Sequence, residues 1–306
     1  MPWVSLAMGI WSAFLKDRTW REVHWIGWML AAAWVSASLL GFAEAHLRPR
    51  SNRMAGIVGY LLALVSQSGS QEVLFFVLPF WVRSTTFLSA NGPFTVALLM
   101  LGAATLYDPL YLRGILAHPR RRALFKSLLL FAGLDFLLTA LTSRSTVECA
   151  LMAGGWSGAV AGLGLLRGAP RGILWGSLLG IALAWVGRDA IAPVPLYLNG
   201  PVLCTQVRGY LPIDTVEVFP ARSEAWFWTP VFAPPGRTDS VRHEWSRDGE
   251  HFASVLLPLH GGRKDGFRTW SNSRLVALQP GSARIEVRLQ DGQLLGRHSF
   301  DIVPAR

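Results

Sequence analysis

Gly172 to Gly200 reads GILWGSLLGIALAWVGRDAIAPVPLYLNG. An apolar helical run, a short charged stop at Arg188 and Asp189, and a proline-spaced connector follow one another within these residues. The patterning before this stretch suits lipid, and the patterning after it suits water. Of the 306 residues, 51% are hydrophobic, which is high for an ordinary soluble enzyme. The net charge of +10 is unevenly placed. Residues 1–195 carry 16 Lys and Arg against 8 Asp and Glu, and residues 196–306 carry 13 against 11. The excess lies in short loops between apolar runs, where membrane topology places it, and no aromatic-interleaved basic strip suggests nucleic acid as a partner.

A bilayer crossing needs about 20 apolar residues. The candidate runs are Pro2 to Leu15, Trp25 to Ala43, Met54 to Trp81, Phe94 to Tyr107, Ser127 to Thr142, Val147 to Leu166 and Gly172 to Gly187. The expectation is therefore an α-helical polytopic membrane domain of about seven helices over residues 1–190, with the first run retained as a helix. Met54 to Trp81 is interrupted by Gln67-Ser-Gly-Ser-Gln-Glu72 and reads as one long or broken helix. Ten basic residues fall in one set of alternating loops and six in the other. The positive-inside rule then puts the N-terminus in the cytoplasm and everything after Arg188 outside.

Polar groups inside apolar helices are candidate functional sites. Gln67, Gln71, Glu72 and Asp135 are candidates to line a proton or ion path, which gives a transporter as the alternative function. Gly155-Trp156-Ser157-Gly158, followed by AVAGLG, resembles the nucleophile segment of rhomboid intramembrane proteases. That chemistry needs a histidine base, and the following helix has none. Close packing through Gly155, Gly158, Gly162 and Gly164 is the plainer reading, and rhomboid-like proteolysis ranks third.

Residues 191–201 read as an extended, proline-stiffened linker. From Val202, apolar and polar residues alternate between turn signals, giving eight candidate strands over residues 202–306 and an all-β immunoglobulin-like sandwich. Asp248-Gly249 and Asp291-Gly292 mark hairpins. Around them Arg247 should face Glu250, Trp245 should face Phe252, Leu289 should face Leu294, and Glu286 should face Arg297. Ile285, Val287 and Leu289 then share the inward face.

The run GFRTWSNSRLVALQPGSARIEVRLQDGQLLGRHSFDIV, with HEWSRDGEHFASVLLPL before it, resembles the bacterial domain-of-unknown-function family numbered twenty-nine fourteen. The carriers are an Arg-Thr-Trp-Ser turn, a Pro-Gly before a strand, and an Asp-Gly hairpin leading to a final strand. That strand ends here as Phe300-Asp301-Ile302-Val303, a mild departure. The helical half, with QEVLFFVLPFWVRSTT and YDPLY, is similar to the multi-helix region accompanying this domain in some members. The resemblance implies a bacterial inner-membrane protein with a periplasmic β-domain, and implies no activity.

Trp226, Trp228, Trp245 and Trp270 with Arg268 are candidates for an aromatic platform that takes a glycan or another envelope protein, although filling the sandwich core is the plainer reading for most of these aromatics. The histidines lack metal-ligand spacing, and neither a metal nor a cofactor is expected. Cys149 and Cys204 are candidates for a disulfide if the β-domain is periplasmic. With no complete catalytic constellation, the expected function is non-enzymatic: a membrane anchor presenting a periplasmic binding or assembly domain.

Overall fold

The computed structural model describes residues 53–166, 170–221, 223–274 and 280–304, with three isolated positions near the N-terminus. The runs Pro2 to Leu15 and Trp25 to Ala43 fall outside these stretches. The chain divides into two compact units.

The first unit is helical. Among the described residues it contains α1 (Arg53–Ser84), α2 (Gly92–Leu106), α3 (Pro119–Leu141), α4 (Thr146–Leu165) and α5 (Pro170–Val186), with a π-helical segment at Pro109–Leu116. The expected seven-helix polytopic membrane domain is not what the structure shows. Among the described residues only α3 is by itself long and apolar enough to cross a membrane. Alpha-2 and Pro109–Leu116 meet the same test only jointly, across a bend of 113°. The reasons are physical: α2 has 15 residues and α5 has 17, short of a crossing, and the polar patch Gln67 to Glu72 interrupts the apolar run of α1. Alpha-1 is continuous through its polar patch for 32 residues, with Pro79 inside it. An aromatic cluster ties α1 to α3, with the Phe80 and Phe136 rings 4.7 Å apart and Trp81 Nε1 donating to Ala132 O at 3.3 Å.

Alpha-4 and α5 pack through glycines. A Cβ at Gly154 would lie 2.6 Å from Gly180 O, and one at Gly172 would lie 2.6 Å from Gly162 O. Gly158 and Gly176 face each other more tightly still. The repeat of four keeps these glycines on one face of each helix, so the backbones meet directly. Gly155 instead faces Ile181, and Gly164 faces Ala123.

The second unit joins residues Gly187–Arg306 with two interhelical segments, Ser84–Pro93 and Thr142–Glu148. Its strands are β1 (Tyr197–Leu198), β2 (Val202–Arg208), β3 (Leu211–Thr215), β4 (Val218–Pro220), β5 (Glu224–Phe232), β6 (Thr238–Arg247), β7 (Glu250–His260), β8 (Phe267–Arg274), β9 (Gly281–Leu289) and β10 (Leu294–Val303). One curled sheet runs β1-β5-β2-β3 with β8 on the other side of β5, and the second runs β4-β10-β9-β6-β7. The immunoglobulin-like expectation is corrected by this order and by the parallel pairing of β4 with β10, where an immunoglobulin domain has antiparallel sheets. Leu203, Phe227, Val231, Trp245, Ile285, Val287 and Phe300 fill the common core.

The stretch expected to be an extended linker is built into this unit. Ile191 to Tyr197 are buried, Leu196 and Leu198 join the core, and Tyr197 stacks on Phe232 at 4.7 Å. Both hairpins form, each with a bulge. Arg247 faces Glu250, but Trp245 faces Ala253, because the ladder shifts between Trp245 and Ser246. At the other hairpin the loop is one residue longer than a two-residue turn: Leu289 N donates to Gln293 O, and Gly292 takes the left-handed φ of 93°. Leu294 therefore faces Arg288, not Leu289, and a shift before Gly296 restores the predicted pairing of Glu286 with Arg297.

Candidate binding face

Along β5 the side chains alternate. Ala225, Phe227 and Val231 enter the core, so Trp226 and Trp228 point to the opposite face of the sheet. Strand register brings Trp270 opposite Trp228 and Arg268 opposite Pro230 on the neighbouring β8. Trp226, Trp228, Trp270 and Arg268 are all half-buried there. Tyr210, 61% exposed, meets the edge of Trp270 at 5.5 Å, and its carbonyl accepts from Trp228 Nε1 at 3.1 Å. The result is an aromatic surface with a cation beside it, suited to stacking and cation–π contacts. Tyr210 holds φ at 67°, and no periodicity in the sequence marks that conformation.

Trp245 does not belong to this face. It is fully buried, and its Nε1 donates to Ser271 Oγ at 3.2 Å. The same hydroxyl lies 2.9 Å from His243 Nδ1, while His243 Nε2 has no hydrogen-bond partner. Burial pushes the His243 ring down to about 3, so it is neutral at physiological pH. His298 is also lowered, by burial against an opposing pull from Glu217. Among the described residues no group of three or more His, Cys, Asp or Glu could hold a metal ion.

On the outside of the second sheet, Glu286 receives Arg288 at 2.6 Å and Arg297 at 2.7 Å. Burial works to raise its carboxyl, and the two guanidiniums outweigh it, leaving Glu286 below its ordinary range. Other polar side chains knit the interhelical segments into the unit. Asp291 Oδ2 accepts from Thr146 Oγ1 at 2.9 Å and from the Val147 amide at 3.4 Å. Gln293 Nε2 donates to the carbonyls of Arg188 and Ile191, each at 3.2 Å. Asn91 Nδ2 donates to Leu294 O, Arg297 to Leu88 O, and the buried Arg237 to Arg144 O. Ser145 and Glu148 form a reciprocal capping box at the start of α4, a Ser-x-x-Glu pattern readable in the sequence. The other bonds span long separations and left no local pattern.

The helical candidates differ in their surroundings. Gln71 is buried and donates to Thr105 O at 2.6 Å, Glu72 is half-exposed, and Asp135 is 2% exposed in α3. Among the described residues no hydrogen bond or ion pair links these three to one another. Alpha-1 carries Gln67, whose side chain is outside the described atoms. Ser157 Oγ donates to Gly154 O within its own helix, and its carbonyl accepts from Ser127 Oγ. These are the bonds of a packing serine, and among the described residues no hydrogen bond joins Ser157 to a histidine. No disulfide joins Cys149 in α4 to Cys204 in β2; both are buried thiols.

The family model described as a family of unknown function, DUF5924, matches residues 1–218, more than half of the chain. The chain belongs to DUF5924. A second model, described as a protein of unknown function, DUF2914, matches residues 238–302, so the resemblance of the C-terminal strands to that family stands. The DUF5924 match takes in the helical unit and β1 to β3, the DUF2914 match begins with β6 and runs into β10, and β5 lies between the two. The candidate face of this DUF5924 member thus draws Trp270 and Arg268 from the DUF2914 region and Trp226 and Trp228 from the strand between. No curated protein matches the chain. Among solved structures, Pseudomonas fluorescens alkylpurine DNA glycosylase AlkC bound to DNA containing an abasic site analog aligns over 94% of this chain and 99% of that one. Its identity is 14% and its TM-score 0.25, too low to carry an argument about fold or function.

Proposed function

We propose that this DUF5924 member is a non-enzymatic envelope protein of the bacterial inner membrane. Its helical unit is held in lipid, and its β unit, on the periplasmic side, binds a glycan or another envelope protein through the Trp226, Trp228, Trp270 and Arg268 face. The observation that carries the membrane part is the surface of α5. Nine large apolar side chains there are exposed: Ile173, Leu174, Trp175, Leu178, Leu179, Ile181, Leu183, Trp185 and Val186. A contiguous apolar surface of that kind is covered by lipid or protein, not water. The binding part is supported by aromatic side chains left half-exposed on a sheet face whose opposite side already supplies the core. The ion-path alternative gains no support, since among the described residues no hydrogen bond or ion pair joins Gln71, Glu72 and Asp135 to one another.

The test is in-cell photocrosslinking. With a photoreactive residue at position 270, a discrete adduct with a glycan or envelope protein is expected, and the same residue at outward-facing position 256 on β7 should give none. Equal adducts from both positions would count against a dedicated face. Membrane residence is read separately: the full chain should stay in the membrane pellet after alkaline carbonate, and its release would overturn that part.

A further inference from the structure

The segment between α2 and α3 carries the most concentrated charge of the helical unit. Arg113, Arg120, Arg121, Arg122 and Lys126 fall within 14 residues, and no carboxylate lies between Pro109 and Leu134. Arg113, Arg120 and Arg121 are exposed and Arg122 is partly so. The segment is also sharply shaped. The chain bends by 113° on leaving α2, runs through Pro109–Leu116, and turns into α3, the described helix both long and apolar enough to cross a membrane.

That bend is held in place. Ala117 N donates to Leu112 O at 3.0 Å, the wide spacing of a π-helical turn. Tyr111 is buried, with its ring 5.5 Å from Phe125 of α3. Arg121 Nη1 reaches back to Gly114 O at 3.1 Å, laying a guanidinium from α3 over the bent segment. Beside these cations Leu106, Tyr107, Leu110 and Leu124 are exposed apolar side chains. A short helix with apolar side chains exposed beside basic ones, turned aside from its neighbours, is the form taken by segments lying in the lipid headgroup layer.

We infer that Pro109–Lys126 is a headgroup-binding site for anionic phospholipids, in which Leu110 and Tyr107 enter the acyl boundary while Arg113, Arg120, Arg121 and Arg122 engage lipid phosphates. Charge complementarity selects this occupant: a run of cations flanked by one carboxylate, Asp108, meets the negative leaflet surface, and the adjacent apolar side chains exclude a purely aqueous anion as the whole ligand. The inference rests on the membrane residence proposed above and adds the lipid class and the residues that read it.

The full chain in neutral detergent is titrated with short-chain phosphatidylglycerol, short-chain phosphatidylcholine, inorganic phosphate and a short RNA, reading the thermal midpoint. Phosphatidylglycerol is expected to raise the midpoint saturably, more than the other three, and high salt should weaken the response. The Arg120→Gln, Arg121→Gln, Arg122→Gln triple variant should need on the order of 100-fold more phosphatidylglycerol for the same rise. The corresponding triple Lys variant should retain most of the response. An equal rise with phosphatidylcholine, phosphate or RNA overturns the inference, as does a titration unchanged by high salt or by the Gln substitutions. Carbonate washing separates the two claims: release of the wild-type chain defeats membrane residence, whereas retention without headgroup preference defeats this inference alone.

Discussion

His243 is a neutral imidazole in an apolar core, with one ring nitrogen matched by Ser271 and the other unmatched. Its folded-state value of about 3 lies below the ordinary 6.5, so between these values the unfolded chain binds the extra proton. Stability is therefore fully present above about pH 6.5 and falls as the pH drops toward 3, by up to ~1.4 kcal/mol per pH unit. Replacing His243 by Gln should flatten that slope, as measured by urea melts across this range. His298 adds in the same direction, while Glu286, held low by Arg288 and Arg297, loses its contribution only below its ordinary range near 4.5. The tryptophans divide just as cleanly. Trp245→Ala should cost about 3–5 kcal/mol in a denaturant melt because it empties the core. Trp228→Ala and Trp270→Ala should be far milder in that melt yet reduce crosslinking at the face. Alternation along β5 made Trp226 and Trp228 legible as a pair; placing Trp245 apart from them required knowing which sheet β6 joins.

At the scale of elements, the α4–α5 pair makes a graded prediction. A methyl at Gly158 meets the backbone of Gly176, whereas one at Gly155 meets the Ile181 side chain at 3.3 Å, which can shift. Gly158→Ala should therefore destabilise by about 1–3 kcal/mol and Gly155→Ala by clearly less, compared as thermal midpoints in detergent. Equal losses would mean the helices are not in backbone contact. Strands were readable where apolar alternation was long, as in β9 and β10. The short strands β3 and β4 were not, because left-handed backbone at Tyr210 and Asp214 interrupts the alternation before and within β3. Of the expected hairpin pairs, Arg247–Glu250 and Glu286–Arg297 form, whereas Trp245–Phe252 and Leu289–Leu294 are displaced by bulges, which leave no compositional trace. Among the described residues, counting apolar runs overstated the spanning helices, since α2 and α5 are each too short to cross alone.

For the whole molecule, a helical first part followed by a β-rich second part was legible in composition, but the membership of the second unit was not. Ser84–Pro93 and Thr142–Glu148 belong to it through side-chain bonds from Asn91, Arg237, Asp291 and Arg297. Asp291→Ala should cost about 1 kcal/mol and speed hydrogen exchange at the Val147 amide, which loses its acceptor. A fragment of residues 191–306 should melt well below the same unit in the full chain, because Asn91 and the carbonyls of Arg144 and Arg188 are absent from it; an equal midpoint would mean these bonds contribute nothing. The Asn91–Leu294 and Leu88–Arg297 bonds join positions 203 and 209 apart in sequence. During synthesis Ser84–Pro93 leaves the ribosome long before β10 exists, and at the typical 5–20 residues per second it waits roughly 10–40 s for its partner. The interhelical segments are thus made early and finished last, which makes the nascent chain, with an incomplete β unit and its edge strands open, the stage most in need of a chaperone.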